Sequence, residues 1–508
     1  MKKASSVFYI SASIIAALVL IGALIPQAFE RVTATIQGFL TDSFGWYYLI
    51  IVSGFVAVCL YLLVSPLGRI KLGKAEDKPE FSRPTWLAML FSAGVGIGLV
   101  FYGTAEPISH YAISAPSGET GTNLAVREAM QYTFFHWGIH AWAVYGLVAL
   151  SLAYFMFRRG EPGLISSTLK PILGRHASGG IGKTIDVIAV ISTVIGVATS
   201  LGFGAVQING GLSYLFGIPS NMTNQFIIIL AVTVLFMISA LTGIGKGIKI
   251  LSNVNMLLAA GLLALVFVFG PTLFTLNLFT DTIGRYLQNF LNMSFRISPL
   301  NEENRTWING WTIFYWAWWI SWSPFVGIFI ARVSKGRTIR EFVAYVLLAP
   351  SVIGFLWFSV FGGSAISLER SGQAVISSLA TEQSLFGMLA AFPFGEVISV
   401  LAICLIGTFF ITSADSGTFV LGMMTTNGSQ NPNNVLKMTW GALLTAIALV
   451  LLYSGGLQAL QNTMIIAAFP FSFVIIMMAA SLLKTLNREA KELAPAKRRT
   501  QQPASKNA

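Results

Sequence analysis

The chain has 508 residues, 55% of them hydrophobic and only 10% charged, with a formal net charge of +12. So little charge cannot cover a water-facing surface of this size, which excludes a soluble enzyme and points to an all-α polytopic membrane protein. The basic balance does not imply a nucleic-acid partner, because it is concentrated in the segments between apolar runs.

Apolar runs long enough to cross a bilayer fall at residues 8–28, 46–67, 85–111, 132–157, 184–216, 224–243, 251–274, 309–331, 342–363, 394–424, 438–455 and 461–483, which predicts twelve spans. Met1, Lys2 and Lys3 precede the first run and no small-residue cleavage site follows it, so it reads as a retained span. With both termini cytoplasmic, the inner segments hold 26 of the 32 Lys and Arg residues. Arg31, Arg127, Arg285, Arg296, Arg305 and Arg370 fall outside. Cys59 and Cys404 lie inside spans and read as buried apolar filler, with no disulfide framework.

The third span contains Ser92-Ala93-Gly94-Val95-Gly96-Ile97-Gly98. Each glycine costs about 1 kcal/mol in a helix interior, so this stretch is expected to loosen and to line a cavity; close helix packing is the plainer use of the same residues. Glu106 ends the span as one of two well-embedded acids, the other being Asp415. The fourth span carries Trp137, Trp142 and Tyr145 at spacings that put them within roughly 140 degrees of one another on a helix. His136 and His140 have the i, i+4 spacing of a metal pair, but no third ligand accompanies them locally, so hydrogen bonding within the bundle is expected instead. Residues 281–295 are amphipathic yet too polar to cross, and read as a helix on the outer surface.

Six of the twelve tryptophans lie in TWINGWTIFYWAWWISWSPF, residues 306–325. On a helix, Trp311, Tyr315, Trp318, Trp319 and Trp322 pave one face with electron-rich rings, able to hold a quaternary ammonium without a counter-charge. Trp307 and Trp311 are expected in the interfacial belt, and Pro324 is expected to break or kink the helix. In the tenth span, Thr412 and Ser413 offer hard hydroxyl oxygens for a small alkali cation, or bond back to their own helix. The tail from Lys484 is basic and reads as disordered or as an arm on anionic lipid. No Walker sequence or nucleophile elbow is present, and the loops are too short for a catalytic domain.

The breaks fall in spans three and eight, five apart. Two five-span units starting there have opposite orientation, which is the mark of an inverted repeat.

At MLFSAGVGIGLVFYGTAEPISHY (89–111), WTIFYWAWWISWSPFVGIFIARVSKGRTIREF (311–342) and FFITSADSGTFVLGM (409–423), the chain resembles the betaine/carnitine/choline transporter family, over essentially its whole length. The resemblance implies twelve transmembrane helices with a LeuT-like core of two inverted five-helix repeats. Two leading helices would occupy 1–84, the repeats 85–274 and 309–483, an extracellular helix and loop 275–308, and a cytoplasmic tail 484–508. It implies a cage of Trp137, Trp142, Tyr145 and Trp319 around a trimethylammonium group, with Trp318 and Trp322 on the path beside it. Gly94, Gly96 and Gly98 would face the substrate carboxylate. One sodium would be held by Thr412, Ser413 and the carbonyls of Ser92, Val95 and Phe410. A second would involve Thr193 and Phe325, although Val197 stands where a second hydroxyl is expected.

The function this implies is sodium-driven import of glycine betaine across a bacterial plasma membrane for osmoprotection, with no enzymatic activity and no cofactor beyond the coupling ion. A homotrimer is among the assemblies the resemblance allows. A choline or carnitine carrier, an exchanger, a cation channel and a quaternary-amine receptor are the alternatives. The short loops, without a signalling domain, weigh against a receptor.

Overall fold

The computed structural model describes residues 4–94, 96–241 and 247–493. Among them the secondary structure is helical apart from a single bridge between Lys71 and Thr338. Ten of the described helices are long and apolar enough to cross a membrane by length and composition. The protein is a multi-pass membrane protein.

The predicted third span is two twelve-residue helices, Arg83–Gly94 and Ile97–Ile108, with Gly96 between them in extended backbone (φ −137°, ψ −154°). The glycine cluster breaks the helix outright, because no side chain there favours helix over extended chain. A second break was not anticipated. Gly138 (φ −93°, ψ −140°) separates Asn123–Trp137 from Ile139–Ala153, so Trp137 and Trp142 sit on different helices and not on one face of a single one. The amide freed at Ile139 bonds to the Tyr286 hydroxyl at 3.2 Å, on the amphipathic helix Thr272–Gln288. That helix starts earlier than the surface segment read from the sequence.

Pro324 does not interrupt Phe314–Val333. Proline cannot bond to the carbonyl four residues back, here that of Ile320, and the Ser323 hydroxyl donates to that carbonyl at 2.8 Å. The last two predicted spans fall within Asn434–Leu493, bent at Gly455 and Gly456, where Gly456 has φ +60°. This helix runs past Lys484 to Leu493, where disorder or an arm on the membrane surface was expected. Glu489 explains the order, since it accepts from the Tyr154 hydroxyl at 2.6 Å and from Arg158 Nε at 2.5 Å. Lys497, Arg498 and Arg499 lie outside the described residues. Cys59 is buried as expected, whereas Cys404 is exposed on its helix; neither is paired.

Around the site, Phe314–Val333 packs against Ile139–Ala153 and against Gly180–Phe216, while Ile97–Ile108 packs against Ile339–Arg370. Arg83–Gly94 also packs against Phe314–Val333, so both broken segments face the tryptophan-rich helix.

Candidate functional site

Helix spacing and the two breaks converge on a pair of adjoining cavities. Gly94, Trp137, Trp142, Tyr145 and Trp319 line the first. Gly96, Gly98, Trp318 and Trp322 join Gly94, Trp137, Tyr145 and Trp319 around the second. All nine residues expected at the substrate are thus brought together from three stretches of chain. Leu99, Ala141, Ser200, Pro350 and Gly354 complete the lining and were not anticipated, because small or aliphatic residues carry no local signal of ligand contact.

Trp319 is the hub of the rings. Its centroid lies 4.9 Å from Trp137 at 74° and 5.7 Å from Tyr145 at 83°, while Trp318 stacks on it at 5.6 Å and 6°. Trp142 meets Tyr145 edge-on at 5.7 Å. The indole N–H groups are tied down behind the cavity. Trp319 Nε1 donates to the His136 carbonyl (2.9 Å), Trp322 Nε1 to the Gly196 carbonyl (2.9 Å) and Trp137 Nε1 to Glu106 Oε2 (2.8 Å). The indole N–H edges are thus held by neighbouring helices.

Among the described residues no carboxylate lines either cavity, so a cation placed there is held by ring quadrupoles in a desolvated setting, where such contacts are strongest. The Tyr145 hydroxyl is buried in this lining without a protein hydrogen-bond partner. Gly94 and Gly98 make the close approach possible. A Cβ at Gly94 would collide with the Trp142 ring, and one at Gly98 would lie 2.5 Å from Trp318 Cη2. Each cavity is narrow, with room for about one water molecule, so a bulkier ligand enters only as the rings shift.

The hydroxyl pair of the tenth predicted span lies in Gly395–Met424. Ser413 faces the break, 3.8 Å from where a Cβ on Gly96 would be. Thr412 lies 3.0 Å from the Thr408 carbonyl and 3.1 Å from that of Phe409, and accepts from Asn255 Nδ2 at 2.9 Å. Thr412 thus bonds back to its own helix, and Phe410 lies buried two residues before it. Ser92 sits in the last turn before the break, and Val95 lies outside the described residues. Thr193 donates to the Ala189 carbonyl at 2.8 Å, and Phe325 meets Trp322 edge-on at 5.5 Å. Val197 packs toward Gly417 and supplies no oxygen from its side chain. Asn255, whose Oδ1 is buried and unpartnered, is a polar neighbour of Thr412 that sequence reasoning missed. Nothing in its local pattern separates it from a lone polar residue in an apolar helix.

His136 and His140 bond within the bundle as expected. His140 Nε2 pairs with Ser294 Oγ at 2.9 Å, while His136 Nε2 pairs with Thr312 Oγ1 at 2.9 Å and its Nδ1 with Glu106 Oε1 at 2.7 Å. The absent third ligand needs correction, because a carboxylate does accompany His136. Donor atoms of Glu106, His110 and His136 lie within 4.8 Å of one another, close enough to hold a metal ion. Both Glu106 oxygens already accept protein hydrogen bonds, while His110 Nδ1 is buried without a protein partner. Trp307 is also not in a lipid-facing belt. It is buried against His110 and Tyr132, with its N–H on the Ser114 carbonyl at 3.0 Å.

A family model for betaine/carnitine/choline family transporters matches residues 6–491. The chain is 61% identical to the glycine betaine transporter OpuD of Bacillus subtilis, over 98% of this chain and 97% of that one. It is 45% identical to an ectoine/hydroxyectoine transporter of Virgibacillus pantothenticus, over 96% and 97%. To a glycine betaine transporter of Acinetobacter baylyi it is 42% identical, over 96% of this chain and 74% of that one.

Proposed function

Because this chain belongs to the betaine/carnitine/choline family of transporters, we propose that it imports glycine betaine by sodium symport, as an osmoprotectant. It is a transporter and not an enzyme. The observation that carries the substrate is the carboxylate-free aromatic cavity around Trp319, whose rings meet edge to face as a box for a trimethylammonium group. A relative at 61% identity named as a glycine betaine transporter points the same way.

In this reading the cage of Trp137, Trp142, Tyr145 and Trp319 holds the cation end, and Trp318 and Trp322 line the way to it. Backbone N–H groups at Gly94, Gly96 and Gly98 serve the carboxylate. In the same proposal sodium is held by the hydroxyls of Thr412 and Ser413 with the carbonyls of Ser92, Val95 and Phe410. Substrate and ion stabilise one geometry of the broken helix, so each raises the affinity of the other. The third span, broken at Gly96, adds one to the ten candidates, and the last of the ten, bent at Gly455 and Gly456, counts as two, which supports twelve spans. The two-repeat order, a cytoplasmic location of both termini, anionic lipid at the basic inner face and a trimeric assembly belong to the same proposal.

Uptake of radiolabelled glycine betaine into proteoliposomes tests it. Uptake should be saturable, driven by an inward sodium gradient and reduced when potassium replaces sodium. Equal uptake with and without the gradient would remove the symport, and selective uptake of choline or carnitine would reassign the substrate.

A further inference from the structure

Glu106 closes the half-helix Ile97–Ile108, fully buried, and the transport cycle above makes no use of it. An ionised carboxylate has roughly four acceptor sites and no donor. Four donors meet this one. His136 Nδ1 (2.7 Å) and His110 Nε2 (3.3 Å) face Oε1, while the Trp137 indole N–H (2.8 Å) and the Tyr315 hydroxyl (2.5 Å) face Oε2. With each imidazole presenting an N–H, the count closes for the ionised form. A charge buried in a membrane persists when it is satisfied in this way.

The two donors on Oε2 shape the cage. Trp137 lies edge-on to Trp319, and the Tyr315 ring lies nearly parallel to Trp319 (5.9 Å, 18°) and to Trp318 (6.1 Å, 12°). The other end of the same half-helix begins at the glycine break, where Gly98 lies against Trp318. One twelve-residue helix thus joins the break to the groups that orient the rings.

We propose that Glu106 is a positioning residue for the cage: its carboxylate ties the half-helix after the glycine break to Trp137 and Tyr315, so that the geometry of the break sets the geometry of the aromatic site. This deepens the substrate reading and rests on it. Glutamine at this position carries no charge and one acceptor oxygen: with that oxygen toward Trp137 and Tyr315 both bonds lose their charge assistance, and the two imidazoles keep theirs only by changing tautomer. The indole N–H can only donate and cannot adapt.

The test is uptake by wild type, Glu106→Gln, Glu106→Asp and Tyr315→Phe in proteoliposomes, at matched protein content, with glycine betaine and with dimethylglycine. Glu106→Gln should raise the betaine KM roughly ten- to hundredfold, as expected for loss of one or two charge-assisted hydrogen bonds, with turnover changed far less. Preference for the trimethylated over the dimethylated substrate should fall with it. Glu106→Asp, which keeps the carboxylate, should recover part of both, and Tyr315→Phe should give a smaller rise in KM. A merely structural loss would lower the amount of working carrier and leave KM and preference alone. If Glu106→Gln does not reach the membrane, Tyr315→Phe decides. An unchanged KM and preference in Glu106→Gln, or in Tyr315→Phe alone in that case, overturns the proposal. Wild-type uptake is the control, since its absence would remove the betaine reading instead.

Discussion

The aromatic residues of the site were legible because each carries its own signal. Tryptophan is rare at mid-span, and helical spacing alone places Trp318, Trp319 and Trp322 near one another. Glu106 was visible as a costly buried acid, yet its partners were not, since Tyr315 is 209 residues away and only the fold brings the two to 2.5 Å. The role of the glycines divides between backbone and space. Gly96 supplies the extended backbone of the break, whereas Gly94 and Gly98 are small because indoles press on them. Gly98→Ala should therefore push Trp318 aside and raise the betaine KM by roughly tenfold or more, as overpacking at about 1–3 kcal/mol would. Membrane insertion should stay normal, since alanine favours helix. Uptake kinetics at matched expression check this, and wild-type KM would mean that the ring relaxes without consequence.

Helices that were continuous in the apolar pattern proved otherwise for different reasons. The third span broke where three alternating glycines announced it. The fourth broke at Gly138, where one glycine in an apolar run is indistinguishable from a packing glycine, and the tertiary partner Tyr286 that caps the exposed amide lies far along the chain. Pro324 misled in the opposite direction, because Ser323 satisfies the orphaned carbonyl of Ile320. Ser323→Ala should leave that carbonyl buried and unpaired, destabilising the fold by about 1–3 kcal/mol. Thermal unfolding in detergent should show a lower midpoint for Ser323→Ala than for Ser43→Ala at an exposed position of Pro26–Val64, and equal midpoints would assign the carbonyl another partner. The hydroxyl pair of Gly395–Met424 belongs at this level too, as it links that helix to the broken one. Thr412→Ala with Ser413→Ala removes two oxygen ligands from a hard cation and should move sodium activation of uptake to much higher concentration before maximal transport falls. An unchanged sodium curve would place the ion elsewhere.

Across the whole molecule, composition was enough to establish a helical bundle in lipid, and hydropathy located most of its spans. What the apolar pattern could not convey is that two interruptions face one helix and that the tail is anchored by Glu489 to Tyr154 and Arg158. The function depends on that convergence. A box of rings with no carboxylate in its lining, beside a broken helix, is the arrangement proposed to bind a zwitterion together with sodium. Calorimetric binding of glycine betaine to purified wild type and to Trp319→Ala, both in sodium, measures the box directly. Loss of a desolvated cation–π contact worth about 2 kcal/mol should weaken binding roughly thirtyfold, with Trp319→Phe in between. Equal affinity in a folded Trp319→Ala protein would contradict the assignment of the aromatic cavity as the substrate site.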